Sequence, residues 1–250
     1  MGLFDLFKKK QEPLFPLDLS LLKVDFHSHL LPGIDDGVDS FEESLAIIES
    51  FIELGYQKLI ITPHVMADFY RNDSKTIVEL TNQLISKVKE KQLNISIACS
   101  AEYYFDEHFQ KLFDNDELLL FGQKHVLFEL SYINEPGNIK DFIFKAKSKG
   151  LTPIMAHPER YPYWVGNTAY IQELREAGCL MQINTNSLVG HYSPDAKMMA
   201  ESMIENGLVD FLCSDCHKMQ HIELMKKVKL KKHLIEALSS GMIKNQIFID

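Results

Sequence analysis

Seven short apolar runs punctuate the chain, and each gives way to a longer segment of helical period. They are Leu22–His27, Lys58–Thr62, Ile95–Ala101, Val126–Leu130, Thr152–Ala156, Met181–Asn184 and Val209–Ser214. Runs this short and this continuously apolar suit strands covered on both faces, and their alternation with helices is the mark of βα units around a parallel sheet. The helices carry their own punctuation. Ser40 with Glu43 makes a capping box before Leu45, Ile48 and Ile52, and Gly55 closes that helix. Asp73 or Ser74 opens a second toward Lys91, Asn138 opens one that ends at Gly150, and Thr168 one that ends at Gly178. Ser193-Pro194 starts another that Gly207 ends, and His221–Leu238 supplies the last. No Gly-rich nucleotide loop follows the first run, which favours a closed or distorted ring over an open doubly wound sheet. The expectation is one α/β barrel domain over residues 22–250.

Residues 1–21 read as a loosely ordered leader: Met1–Lys10 is a short apolar patch ending in three lysines, and Pro13 and Pro16 break any helix. A membrane or partner contact through it is the minor alternative. With 26 basic against 35 acidic residues the net charge is −9, which disfavours nucleic acid and anionic lipid as bulk partners. No apolar run reaches the roughly 18 residues of a spanning helix, and no signal peptide is evident, so a cytoplasmic location is expected. Four cysteines are too sparse for a disulfide framework, and Cys213-x-x-Cys216 reads as packing rather than redox or zinc chemistry.

Chemistry gathers where the strands end. His27-x-His29 puts two imidazoles on one face of an extended segment, within reach of a single cation. Asp35-Asp36-Gly37 follows in the next loop, then His64 after the second run, Glu102 after the third, Glu129 in the fourth, His157 at the fifth, and Asp215 with His217 at the seventh. Any one of these could be an ordinary cap or a satisfied polar group. Together they converge on the single rim at the C-terminal ends of barrel strands, and packing so many there is costly unless cations neutralise them. Histidine and carboxylate without thiolate suit Mn²⁺, Fe²⁺ or Zn²⁺, and more than one ion is needed. Three divalent ions against four carboxylates leave about +2, a local well for phosphate.

These residues resemble the polymerase-and-histidinol-phosphatase (PHP) superfamily. More narrowly, Leu-Pro-Gly-Ile-Asp-Asp-Gly-Val-Asp, Ile-Thr-Pro-His, Ala-Glu-Tyr-Tyr, Ala-His-Pro-Glu-Arg-Tyr and Ser-Asp-Cys-His are similar to segments of the bacterial metal-dependent protein-tyrosine phosphatases of capsule and exopolysaccharide systems. The likeness runs from about Val24 to about Leu238. It implies a distorted, TIM-like (β/α)7 barrel of PHP type with up to three ions, usually manganese. His27, His29, Glu102 and Asp215 would hold the first ion; Glu102, Glu129 and His157 the second; Asp36, His64 and His217 the third. Spacing alone does not separate Asp35 from Asp36.

A water shared by two such ions loses a proton near neutral pH, so no cysteine nucleophile is required. Arg160, three residues after His157, is the expected phosphate grip. Asp36 and His217 are candidates for proton delivery, although a phenolate, with a pKa near 10, needs little help to leave. Relatives often carry a second arginine beyond the last Asp-x-His. Here Lys218, His221 or Arg71 is the available substitute. Tyr103, Tyr104, Tyr161, Tyr163 and Trp164 either wall a pocket for a tyrosyl ring or simply pack. The expected activity is hydrolysis of phosphotyrosine in a protein, with a tyrosine kinase of polysaccharide export as the expected substrate. The alternatives are a small phosphomonoester of the histidinol-phosphate kind and a metal-binding scaffold without catalysis.

Overall fold

The computed structural model describes residues 18–228 and 231–250. Its strands are β1 Val24–Asp25, β2 Lys58–Ile61, β3 His64–Val65, β4 Ser96–Cys99, β5 Glu102–Tyr104, β6 His125–Glu129, β7 Thr152–Ala156, β8 Leu180–Asn184 and β9 Phe211–Cys213. Every pairing between them is parallel. They fall into two sheets, β1-β2-β4 and β3-β5-β6-β7-β8-β9.

The two sheets are halves of one ring. β2 and β3 are a single strand interrupted at Thr62-Pro63, where proline has no N–H to give a ladder. β4 and β5 are likewise split at Ser100-Ala101. A parallel bridge between Ser28 and Cys216 joins the first strand's extension to the last, with His29 N–H donating to Cys216 O at 2.9 Å and Asp215 N–H to His27 O at 2.9 Å. The seven expected runs are therefore the seven staves of a distorted barrel, in ring order.

Helices α1 Phe41–Glu53, α2 Ser74–Glu90, α3 Glu107–Asp114, α4 Ile139–Ser148, α5 Thr168–Ala177 and α6 Pro194–Glu205 follow successive staves. The caps read from sequence act at three of them: Ser40 accepts Glu43 N–H, Asp73 accepts Thr76 N–H, and Ser193 accepts Ala196 N–H. α5 is capped by Asn167, one residue before the expected Thr168, and Gly178 ends it at φ 111°, a left-handed turn that glycine adopts freely. The last helix departs from expectation. His221–Leu238 is two helices, α7 Met219–Val228 and α8 Lys232–Ser239, with Lys231 extended between them. Lysines at 226, 227, 229, 231 and 232 would stack like charges along one continuous helix.

Two apolar layers result. The larger lies between staves and helices and includes Phe51, Leu84, Phe142, Leu174 and Met203. The smaller fills the ring, where Phe26 meets Phe121, Phe211 and Phe248 at centroid distances of 5.2, 5.0 and 5.3 Å. Of the expected leader, residues 1–17 lie outside the described residues. Asp18–Leu21 form a capped 3₁₀ turn with Leu19 buried. Among the described residues no helix is long and apolar enough to cross a membrane.

Candidate metal centre and phosphate cleft

Inward-facing residues alternate along the staves, so the apolar plug gives way to ligands two residues further on. Leu127 belongs to the plug and Glu129 to the site; Leu180 packs on the plug, and Gln182 and Asn184 continue its face upward. All nine expected ligands meet at this rim. Four groupings bring ligand atoms within 4.8 Å of one another: His27, His29 and Glu102; His27, His157 and Asp215; His64, Glu102 and Glu129; and His29, Asp36, His64 and His217. Glu102 is central, with one oxygen 3.1 Å from His27 Nε2, 3.4 Å from His29 Nε2 and 3.1 Å from His64 Nδ1, and the other 3.0 Å from His157 Nε2.

Hydrogen bonds fix which imidazole nitrogens face inward. His27 Nδ1–H donates to Gln182 Oε1 at 2.8 Å and His29 Nδ1–H to Asp35 Oδ2 at 2.8 Å, which leaves both Nε2 lone pairs aimed at the shared space. Four buried atoms, His27 Nε2, His29 Nε2, His64 Nδ1 and Glu102 Oε2, have no hydrogen-bond partner. Orphaned lone pairs are costly in a protein interior, and a convergent set of them fits divalent cations. The same crowding shows in the proton affinities. Burial opposes charge on His27, yet Glu102 and Asp215 lift its pKa to about 9; burial also opposes ionisation of Glu102, but His27 and His64 hold it well below the carboxylate range.

The Asp35-Asp36 pair divides its labour. Asp35 turns inward to accept from His29, from His64 N–H at 3.1 Å and from Gly37 N–H at 3.0 Å. Asp36 instead stands 54% exposed, 3.5 Å from His64 Nε2 and 3.4 Å from His217 Nε2. Gly37 allows this turn: a Cβ there would lie 2.1 Å from His29 O. His157 and Asp215 both adopt left-handed backbone, at φ 36° and 49°, a strained state for residues with side chains.

A cleft of about 710 Å³ opens above these groups. Arg160 lies in its wall, 2.8 Å from Asp215 Oδ2, its guanidinium 5.0 Å from the Tyr132 ring centre and 4.1 Å from that of Tyr192. Lys218 and His221 also line it. His221 Nδ1 lies 3.1 Å from both His217 N and Asp215 O, and its Nε2 lies 3.3 Å from His191 Nε2. Burial and the neighbouring His217 lower the His221 pKa to about 4, which keeps the ring neutral. Arg71 is exposed and outside the cleft lining; its Nε–H donates to Ala67 O at 2.6 Å. Of the aromatic residues considered for a pocket wall, only Tyr104 lines the cleft. Tyr103, Tyr161 and Trp164 are buried in the core, and Tyr163 packs against it. Tyr161 and Tyr163 stack at 5.6 Å and both meet Trp164 edge-on, whereas Tyr103 packs against Phe109.

Sequence reasoning missed the groups that orient the ligands. Gln182 and Asn184 lie on the one stave that ends in neither acid nor histidine. Asn184 Nδ2–H donates to Asp215 Oδ2 at 2.7 Å, and Tyr192 O–H donates to the same oxygen at 3.2 Å. The signal available was the i, i+2 spacing of two amides on that stave, matching His27-x-His29.

The family described as capsular polysaccharide synthesis, CpsB/CapC, matches residues 23–243. This chain belongs to the CpsB/CapC family. Its curated relatives include the tyrosine-protein phosphatase YwqE of Bacillus subtilis, 27% identical over 198 residues that cover 79% of this chain and 78% of that protein. The tyrosine-protein phosphatase CpsB of Streptococcus pneumoniae is 28% identical over 202 residues, covering 78% and 83% respectively. Among solved structures, a chain from the crystal structures of YwqE from Bacillus subtilis and CpsB from Streptococcus pneumoniae, described as unique metal-dependent tyrosine phosphatases, superposes with TM-score 0.79 at 23% identity. It covers 90% of this chain and 94% of its own. The histidinol phosphate phosphatase of Lactococcus lactis shares the fold at TM-score 0.53 and 14% identity, covering 83% and 92%. The CpsB/CapC match thus spans the whole ring, from the residue before β1 to beyond α8.

Proposed function

We propose that this protein hydrolyses phosphotyrosine in proteins with the aid of bound divalent cations. The observation that carries the reading is the convergence of nine histidine and carboxylate groups, four of which hold a buried polar atom without a partner, directly beneath a cleft walled by Arg160. Kinship with curated tyrosine-protein phosphatases supports it. His27, His29, Glu102 and Asp215 would hold one ion, Glu102, Glu129 and His157 a second, and Asp36, His64 and His217 a third, with manganese the expected metal and Fe²⁺ or Zn²⁺ the alternatives. Such ions supply Lewis acidity and lower the pKa of water to near neutrality.

The chain's own residues do the rest. Arg160, pinned between two tyrosine rings and Asp215, keeps guanidinium donors for the non-bridging phosphate oxygens. Asp35, Gln182 and Asn184 hold the ligands in register, so little reorganisation accompanies reaction. Lys218, exposed at the cleft, attracts the dianion, and His221 offers a neutral donor framework beside it. Phenolate leaves without an obligatory acid, while Asp36 and His217 stand nearest for proton delivery. The exposed Asp36 and Lys218 leave the cleft open to a macromolecule, which favours a protein over a small metabolite. A cytoplasmic tyrosine kinase of polysaccharide export is the substrate in keeping with the family.

Elemental analysis of the purified protein, combined with turnover of a phosphotyrosyl peptide across added metals, tests this. Activity restored by manganese and abolished in His27→Ala and Asp215→Ala is the expected result. Turnover of histidinol phosphate but of no phosphotyrosyl peptide would replace it with the small-molecule reading, and bound metal with no hydrolysis at all with the scaffold.

A further inference from the structure

Two loops at the cleft mouth each present one bare apolar side chain. Phe69 is 73% exposed and Ile133 is 85% exposed, and both border the cleft. A single exposed apolar residue needs no explanation. These two differ because the chain around each is held firmly in place.

Phe69 sits at the tip of a tight turn closed by two backbone bonds, Met66 N–H to Tyr70 O at 2.9 Å and Tyr70 N–H to Met66 O at 3.0 Å. Asp106 accepts Ala67 N–H at 3.0 Å, Arg71 clasps Ala67 O, and Asn72 Nδ2–H donates to His64 O at 2.7 Å and Ile34 O at 2.9 Å. Ile133 rides on a turn in which Ser131 Oγ accepts both Ile133 N–H at 3.1 Å and Asn134 N–H at 3.3 Å. Tyr163 O–H ties Ser131 O at 2.9 Å, and Trp164 Nε1–H anchors Glu135 at 3.0 Å. Neither apolar side chain contributes to this bracing. The braces hold each one out at the mouth with much of the ordering already done, as a preorganised binding contact requires.

We infer that Phe69 and Ile133 are docking contacts for the polypeptide on either side of the substrate phosphotyrosine, and that they select apolar side chains there. The inference rests on the phosphotyrosyl-protein reading above. The occupant follows from continuity with the cleft. A phosphotyrosine whose phosphate reaches Arg160 must pass its backbone across the mouth, where both side chains stand. The strands that lead into the two loops, β3 and β6, flank β5 in the ring. Two strand spacings are roughly 10 Å, the span of about three extended residues, so the contacts reach positions close to the phosphotyrosine on both sides.

The test uses the full chain loaded with manganese and three substrates: a phosphotyrosyl peptide with Leu or Ile flanks, the same peptide with Ser flanks, and p-nitrophenyl phosphate. The native protein is expected to prefer the apolar peptide by about tenfold in kcat/KM, mainly through KM, as burial of one such side chain would give. Phe69→Ser and Ile133→Ser should each erode that preference, and the double variant should abolish it, with p-nitrophenyl phosphate turnover unchanged. Equal losses on all three substrates would overturn the inference by making the two residues supports of the catalytic site. Undiminished preference in the double variant would overturn it too. If the native protein cleaves p-nitrophenyl phosphate but neither peptide, the phosphotyrosyl-protein reading itself falls and takes this inference with it.

Discussion

At the residue scale, Asp35 and Asp36 make the sharpest contrast. Neighbouring loop residues have no period to separate them, so sequence spacing leaves the ligand open between the two. Tertiary contacts decide: Asp35 is drawn inward by His29, His64 N–H and Gly37 N–H, and Asp36 is left facing His64 and His217. Different outcomes follow for the two alanine variants. Asp35→Ala frees the His29 ring and should weaken metal affinity by about 10- to 100-fold without changing the number of sites, measured by manganese titration against a competing chelator. Asp36→Ala removes a proposed ligand and should lower the metal content found by elemental analysis. The convergence of the nine candidate ligands was legible because each ends or follows an apolar run and so inherits a predictable direction. Gln182, Asn184 and Tyr192 were not, since amides and a tyrosine in those places have many ordinary uses and only the partners across the ring disclose theirs.

At the scale of elements, most staves could be read to within one or two residues because continuous apolar runs leave little choice of structure, although the second and third run on through β3 and β5, three residues past the expected ends. The first stave departs further. Leu22 caps a 3₁₀ turn and regular ladder pairing covers only Val24–Asp25, yet the chain stays extended enough to bridge Ser28 to Cys216. The sequence pattern carries the apolar run but not the tertiary bonds that interrupt its ladder. α3 went unnamed for a similar reason, being short and apolar mainly at Phe109 and Phe113. One inter-element brace invites measurement. Asp210, buried before β9, accepts two bonds from Arg175 of α5 at 3.0 Å each and one from Lys244 at 2.6 Å, as well as Met181 N–H at 3.1 Å from β8. Burial would raise its pKa, but Arg175 and Lys244 outweigh that and hold it below the usual value. A carboxyl whose folded-state pKa lies under its unfolded one stabilises fully above about pH 4 and loses that contribution as pH falls through the folded-state value. Arg175 and Lys244 are a third or more exposed, so solvent screens the pair. Asp210→Asn should cost about 1–3 kcal/mol at pH 7, and the gap from the native protein in urea midpoint should narrow at pH 3.

For the whole molecule, the ring concentrates nine candidate ligands contributed by six staves and the loop after the first, so cations held by them would bind the folded state and not the unfolded chain. At a hundred times the dissociation constant one such ion adds about 2.7 kcal/mol, or roughly 5 °C in melting temperature for a chain of this length. Calorimetry with manganese and with a chelator should show that difference, and loss of His27 or Asp215 should erase it. Such cations would have a further office. His27 and His29 extend from the first stave, Asp215 and His217 from the last, and between them the ladder is reduced to a single bridge with a pair of backbone bonds. Bound ions would therefore rivet the seam where the first and last staves meet. Stripped of them, the molecule should gape there first, with deuterium entering the His29 and Asp215 amides well ahead of those in β7. A nascent chain still lacking its final stave would miss Asp215 and His217, so the clasp across this seam could close only as the last act of assembly.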